Sequence, residues 1–256
     1  MLELRGISKK FSAIKVVNDV SFTVAPGEVL GYLGPNGAGK TTTIRMLAGL
    51  LLPSKGEILF NGENIRSDIH AYKKRIGYVP EQSEIYPHLS AFDFLTMVGR
   101  LRGIPDKPLK RKIVEFLRVF DLVEEMNSPI SSYSKGMRQK VLITAAILHN
   151  PDLLLLDEPL SGLDVTTSLV IRDLIRSLAR ENKVIIYSSH VLEVTEKVCS
   201  KVIILHKGNI VANDSVEHLR HLMKLPSLAE IFNQLVVHED TEVAAGRIVD
   251  AMKGEG

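Results

Sequence analysis

EVLGYLGPNGAGKTTTIRML, residues 28–47, runs from an apolar segment through a glycine-rich turn into a helical pattern. Within it Gly34, Gly39, Lys40 and Thr41 satisfy G-x-x-x-x-G-K-[ST], preceded by the strand Val29–Leu33 and followed by a helix. With Gly at about 7% of residues, such a set arises by chance in a chain of this length on the order of 1% of the time. The glycines let backbone N–H groups crowd around phosphate oxygens, and the helix start adds its positive dipole end. The phosphate loop is therefore read as Gly34, Pro35, Asn36, Gly37, Ala38, Gly39, Lys40, Thr41 and Thr42. Lys40 is expected to reach the β- and γ-phosphates, and Thr41 to offer a hydroxyl to Mg²⁺, a cation that prefers hard oxygen ligands.

The second half of such a site is a buried strand ending in a carboxylate. PDLLLLDEP, residues 151–159, supplies it as Leu153–Leu156 followed by Asp157. Asp157 is expected to steady the Mg²⁺. Glu158 follows at the strand end, where a carboxylate can orient or deprotonate an attacking water.

Around these motifs the pattern is α/β. The segment before residue 34 mixes short alternating strands with the turn APGE, which predicts an antiparallel N-terminal sheet. From Thr41 onward the expected order is helix 41–51, strand 57–61, strand 76–79, helices 90–102 and 108–125, helix 136–149 and strand 153–157. It continues with helix 164–180, strand 183–188, helix 191–198 and strand 201–206, the signature of a largely parallel sheet covered by helices. Residues 83–134 read as an inserted helical subdomain. The stretch after Asn213 reads as two or three short helices, with a main domain over 1–236 and a short helical tail over 237–256 that ends in frayed KGEG.

Totals narrow the rest. The chain has 256 residues, 45% hydrophobic, enough for a sizeable core. Its net charge of +2, from 32 Lys plus Arg against 30 Asp plus Glu, gives no push toward nucleic acid or acidic lipid. The basic tracts Lys73–Arg75 and Lys107–Lys112 read as solvated helix faces. A single cysteine, Cys199, excludes an internal disulfide and reads as a packed core residue. No run approaches the roughly 20 apolar residues of a membrane span, so a soluble cytoplasmic chain is expected.

SSYSKGMRQK, residues 131–140, puts polar and basic residues ahead of the apolar VLITAAIL. Ser134 is a good N-cap, and Gly136 keeps the backbone open to a phosphate at the helix start. Lys135 in the first turn opposes the helix dipole by about 0.3–1 kcal/mol unless an anion lies in front of it.

Taken in order, these motifs resemble the ATP-binding subunit of an ABC transporter, over roughly residues 2–236. The resemblance implies that Phe11 stacks on adenine and that Gln82, in YVPEQSEIYP, touches Mg²⁺ and links to the helical subdomain. It implies that Ser161, Gly162, Leu163 and Asp164 form the loop that crosses a dimer interface, and that His190 contacts the γ-phosphate. Ser134, Lys135, Gly136 and Met137 take the place of the family's signature, pointing at ATP held by a second subunit. Four residues depart from the family pattern: Leu160 stands where Thr is common, Val165 where Pro is, Lys135 for the first signature Gly and Met137 for its Gln. ATP and Mg²⁺ are the implied cofactors, and Glu158, His190 and Gln82 the implied catalytic set.

The variant signature and PSLAEIFNQL, Pro226–Leu235, resemble bacterial exporter ATPases of the ABC-2 type. That implies a separate integral-membrane permease, a homodimer or heterodimer of ATPase subunits, a peripheral position on the inner face of the cell membrane and no nucleic acid. The alternative is a soluble ATPase of the same family acting on ribosomes, nucleic acid or metal-cluster assembly. A P-loop kinase or GTPase leaves His190 and SGLD unexplained and lacks the NKxD guanine motif.

Overall fold

The computed structural model describes residues 1–82, 85–236 and 251–252. The chain opens with long strands β1 (Leu2–Phe11) and β2 (Ile14–Val24), then β3 (Val29–Leu33) and α1 (Lys40–Leu47). Next come β4 (Lys55–Phe60), β5 (Glu63–Asn64), α2 (Ile69–Lys74) and β6 (Ile76–Val79). Helices α3 (Ala91–Leu101) and α4 (Asp106–Val119), with a 3₁₀ turn Ile130–Ser132, lead to α5 (Lys135–Ile147). The chain then alternates: β7 (Leu153–Asp157), α6 (Val165–Arg180), β8 (Val184–Ser188), α7 (Leu192–Val198), β9 (Lys201–His206) and β10 (Asn209–Ser215). Helices α8 (Val216–Met223) and α9 (Leu228–Val236) follow.

Two sheets result. The first is antiparallel, in the order β2-β1-β4-β5, and the second runs β10-β9-β3-β8-β7-β6. All pairs of the second sheet are parallel except β10 with β9. Its inner strands β3, β8 and β7 are almost entirely apolar because both faces are covered, whereas the edge strand β10 is polar and partly exposed, and the pleat sorts alternate residues to opposite cores. Leu30, Tyr32, Leu153, Leu155, Val184 and Ile186 pack toward the antiparallel sheet and α1. Val29, Leu33, Leu154, Leu156, Ile185 and Tyr187 pack toward the helices.

One expectation changes, and two elements are added to those expected. The strand expected over 57–61 is β4, and it joins the N-terminal antiparallel sheet through β1 instead of the parallel one. The six-residue α2, capped by Asp68, and the edge strand β10 carry too weak a period to be read from sequence. Between residues 85 and 134 the described residues hold helices and turns, with one isolated bridge, Ser90 to Pro129. The helical tail expected over 237–256 lies outside the described residues, save Ala251 and Met252, which are helical. Cys199 is buried, which pushes its thiol pKa up.

The sheet and α5 meet at Gly77, where an added Cβ would lie 2.2 Å from the carbonyl oxygen of Ala146. That neighbour is backbone, so the helix itself must move to admit a methyl group. Gly77→Ala is expected to cost about 1–3 kcal/mol, read as a lower urea midpoint with unchanged slope.

Candidate nucleotide site

The site is built on one row of the parallel sheet. Tyr32 of β3 pairs with Ser188 of β8, which pairs with Asp157 of β7. Just beyond that row the three strands release the phosphate loop, the Ser189–His190 pair and Glu158 side by side. They line a cleft of about 620 Å³ with Lys40, Thr41 and Asp157.

The loop leaves its helix end free for a ligand. Gly39 is the N-cap of α1 at φ 107°, with no side-chain cap and no acidic residue in the first turn. Any other residue there would be strained, and its Cβ would also lie 2.7 Å from the carbonyl oxygen of Val16. Lys40 is 9% exposed, and its ammonium donates to the carbonyl oxygens of Gly34 at 2.6 Å and Pro35 at 3.2 Å. Burial lowers its pKa, while the carboxylates of Glu158, Asp157 and Glu81 oppose that shift and favour the cation.

Asp157 is 1% exposed, and its Oδ2 is buried with no hydrogen-bond partner among the described residues. Burial raises its carboxyl pKa, with the Ser188 and Thr41 hydroxyls pulling the other way. A buried carboxylate oxygen beside a threonine hydroxyl is a hard-oxygen donor set suited to Mg²⁺ or to one of its waters.

Glu158 is held in an uncommon pose. Its backbone sits at φ 51° and its N–H donates to Ser188 O at 3.0 Å. Nδ1 of His190 lies 2.9 Å from Oε1, and Ser189 Oγ donates to Oε2 at 3.3 Å. A left-handed conformation at a glutamate costs of order 1 kcal/mol or more and persists only where surroundings enforce it. Here the pose turns the carboxylate into the cleft.

Other expected residues fall elsewhere. Phe11 ends β1 at 47% exposure, with the Lys9 ammonium 5.2 Å from its ring centroid, and it does not line the cleft. Gln82 lines an adjoining opening of about 370 Å³ together with Lys135, Ser161 and Glu158. One position earlier, Glu81 reaches the cleft itself and accepts a long hydrogen bond from Thr41 Oγ1 at 3.4 Å. The family resemblance points to the glutamine, and the glutamate before it also faces the cleft. Val16 and Phe232 also line the cleft, brought from β2 and α9 by tertiary packing that no local pattern announces.

Ser134 caps α5 by accepting from Met137 N at 3.2 Å. Neither it nor Gly136 nor Met137 lines the phosphate cleft. Asp164 caps α6, accepting from Thr167 N and Oγ1 at 2.8 and 2.6 Å, bonds that hold its pKa down to about 2.

A phosphate loop beside a buried carboxylate strand and a glutamate–histidine pair defines a nucleoside-triphosphate-hydrolysing cassette. A family model described as ABC transporter matches residues 17–161. The ABC transporter ATP-binding protein NatA of Bacillus subtilis is 38% identical over 242 residues, 93% of this chain and 98% of NatA. Nod factor export ATP-binding protein I of Ralstonia nicotianae is 32% identical over 219 residues, 86% of this chain and 68% of that protein. Among solved structures, an ATP binding subunit of an ABC transporter superposes with a TM-score of 0.86 at 32% identity, covering 92% of this chain and 99% of the other. The ATP-binding cassette MJ0796, solved as a dimer in a post-hydrolysis state with ADP and Pi, shares the fold at TM-score 0.77 and 23% identity, over 84% and 98% of the two chains. The chain belongs to the ABC transporter family as an ATP-binding subunit, and it is an ATPase.

If Lys40 meets the β- and γ-phosphates as its sequence position implies, removing its ammonium takes away their buried cation. Lys40→Ala is expected to weaken ATP binding about 10- to 100-fold, the scale of a charge-assisted hydrogen bond, in a fluorescent-nucleotide titration. Undiminished ATPase in the purified variant would remove Lys40 from the site.

Proposed function

We propose that this chain powers export through a separate integral-membrane permease, as a head-to-tail dimer of ATPase subunits on the inner face of the cell membrane. The observation that carries the dimer is the position of the α5 start. Its capped end, with a basic residue in the first turn, lies outside the chain's own phosphate cleft. A helix end suited to an anion then has its phosphate in a second subunit, and each of two composite sites pairs one phosphate loop with the other subunit's Ser134, Lys135, Gly136 and Met137. The dimeric MJ0796 cassette supports this reading by analogy of fold.

Within each half-site the residues divide the work. The loop amides and Lys40 bind and orient the phosphates. Thr41 and Asp157 hold Mg²⁺, with Glu81 beside Thr41 and Gln82 at the adjoining opening toward the helical segment. When bound, Mg²⁺ neutralises charge on the β- and γ-phosphate oxygens. Glu158 accepts the proton of the attacking water, and His190, at hydrogen-bond distance from that carboxylate, orients it and contacts the γ-phosphate. Phe11 is proposed to meet the adenine ring once nucleotide is bound. Loss of the γ-phosphate removes contacts that bridge the subunits, and the dimer releases.

Among the described residues no helix is long and apolar enough to cross a membrane, which fits a permease carried on another chain. The Nod factor export relative supports the outward direction. Affinity purification from solubilised membranes is expected to bring down an integral-membrane partner; recovery with ribosomes or DNA instead would overturn the transport reading.

Two substitutions test the cycle. Glu158→Gln is expected to lower kcat about 100-fold or more, as loss of a general base does, while ATP binding persists and a dimer accumulates. Gel filtration with ATP that shows only monomer would count against the sandwich. Ser134→Arg is expected to stop hydrolysis without changing the ATP affinity of the monomer, and equal loss of monomer binding would assign the helix a role in its own site.

A further inference from the structure

Lys135 stands where the family pattern has a glycine, and the structure gives its side chain a partner within the same chain. Its Nζ donates to Ser161 Oγ at 2.7 Å. One turn further along α5, on the same face, Gln139 Nε2 donates to the carbonyl oxygen of Pro159 at 3.0 Å. Lys140 Nζ lies 3.7 Å from Oδ2 of Asp164. Three side chains from two successive turns of α5 thus contact the start, middle and end of the loop 159–164.

The backbones are equally close. A Cβ at Gly136 would lie 2.6 Å from Gly162 O, and one at Gly162 would lie 3.0 Å from Cδ of Lys135. Helix and loop are in contact with no room for another atom between them. Upstream, Ser161 N donates to the carbonyl oxygen of Glu158 at 3.1 Å, so the residue gripped by Lys135 also holds the backbone of Glu158 in its left-handed turn. The same opening that Lys135 and Ser161 line reaches the side chains of Glu158 and His190.

We infer that Lys135 is a positioning residue for hydrolysis: by pinning Ser161 it fixes the loop that aims the Glu158 carboxylate, and so ties the signature helix to the catalytic base of the same subunit. A glycine at this position has no side chain to make that link. The inference rests on Glu158 being the general base.

The test uses the purified full chain and the variants Lys135→Met, Ser161→Ala, the double substitution and Lys135→Arg, with Glu158→Gln as control. Steady-state ATPase and thermal midpoints are measured for each. Lys135→Met and Ser161→Ala are each expected to lower kcat about three- to tenfold, the net worth of one ordinary exposed hydrogen bond, at an unchanged thermal midpoint, while KM reports separately on the signature contact with the neighbour's nucleotide. The double variant should fall no further than Lys135→Met, because the two residues act through one bond. Lys135→Arg, which can still donate to Ser161, should recover most of the rate. Multiplying losses in the double variant would overturn the proposal. So would an intact kcat, with or without a raised KM, which leaves Lys135 only its contact with the neighbour's nucleotide, or a kcat loss that tracks the thermal midpoint and is not rescued by arginine. Full turnover in Glu158→Gln would overturn the base assignment itself, a failure separable from the additivity measurement.

Discussion

One ammonium group buried among carboxylates at the ends of adjacent parallel strands is the constraint on which the site depends. Lys40 loses hydration on burial, and the nearby Glu158, Asp157 and Glu81 keep its charge favourable. That balance rests on the strand order β3-β8-β7, in which β3 and β7 flank β8 in parallel and so bring the phosphate loop and the Asp157–Glu158 pair to one edge. The order in turn requires strands apolar on both faces, and those need an antiparallel sheet on one side and helices on the other. The fold is thus the scaffold for a small charged cluster that water would otherwise dissipate.

The charge count at this edge also frames the chemistry. Three carboxylates meet one lysine and one histidine, and the buried Oδ2 of Asp157 has no hydrogen-bond partner among the described residues. Phosphates alone would add negative charge to a cluster that already carries it. A divalent cation relieves both problems at once, which is the physical reason a loop of this kind and a carboxylate strand come as a pair.

Much of this was legible in the sequence because its causes are local. Gly39 announces a turn that only glycine tolerates, and LLLL before Asp157 announces a strand covered on both faces. The misses have non-local causes. Strand pattern located β4 nearly to the residue but could not say that it pairs with β1 instead of joining the parallel sheet. Val16 and Phe232 enter the cleft from opposite ends of the chain, and the period of neither segment reports on that meeting. Glu81, one position before the expected Gln82, joins the cleft as well, and residue identity carries no information about which way the backbone turns after β6.

Lys135 shows how a sequence-level penalty can have a tertiary cause. A cation in the first turn of α5 opposes the helix dipole by about 0.3–1 kcal/mol, and no acidic residue in that turn offsets it. Ser161 is a neutral acceptor, so its bond satisfies one ammonium hydrogen without cancelling the charge. The helix start therefore keeps a positive field while being fastened to the loop that carries Glu158. An anion at that face would be attracted by the charge, and the Lys135–Ser161 bond links that face to the backbone of Glu158. The cap by Ser134, worth about 1 kcal/mol, is as large as that cost, so the helix start forms with the cation in place. The charge itself stays uncancelled, and an anion placed at this end of the helix would meet it favourably.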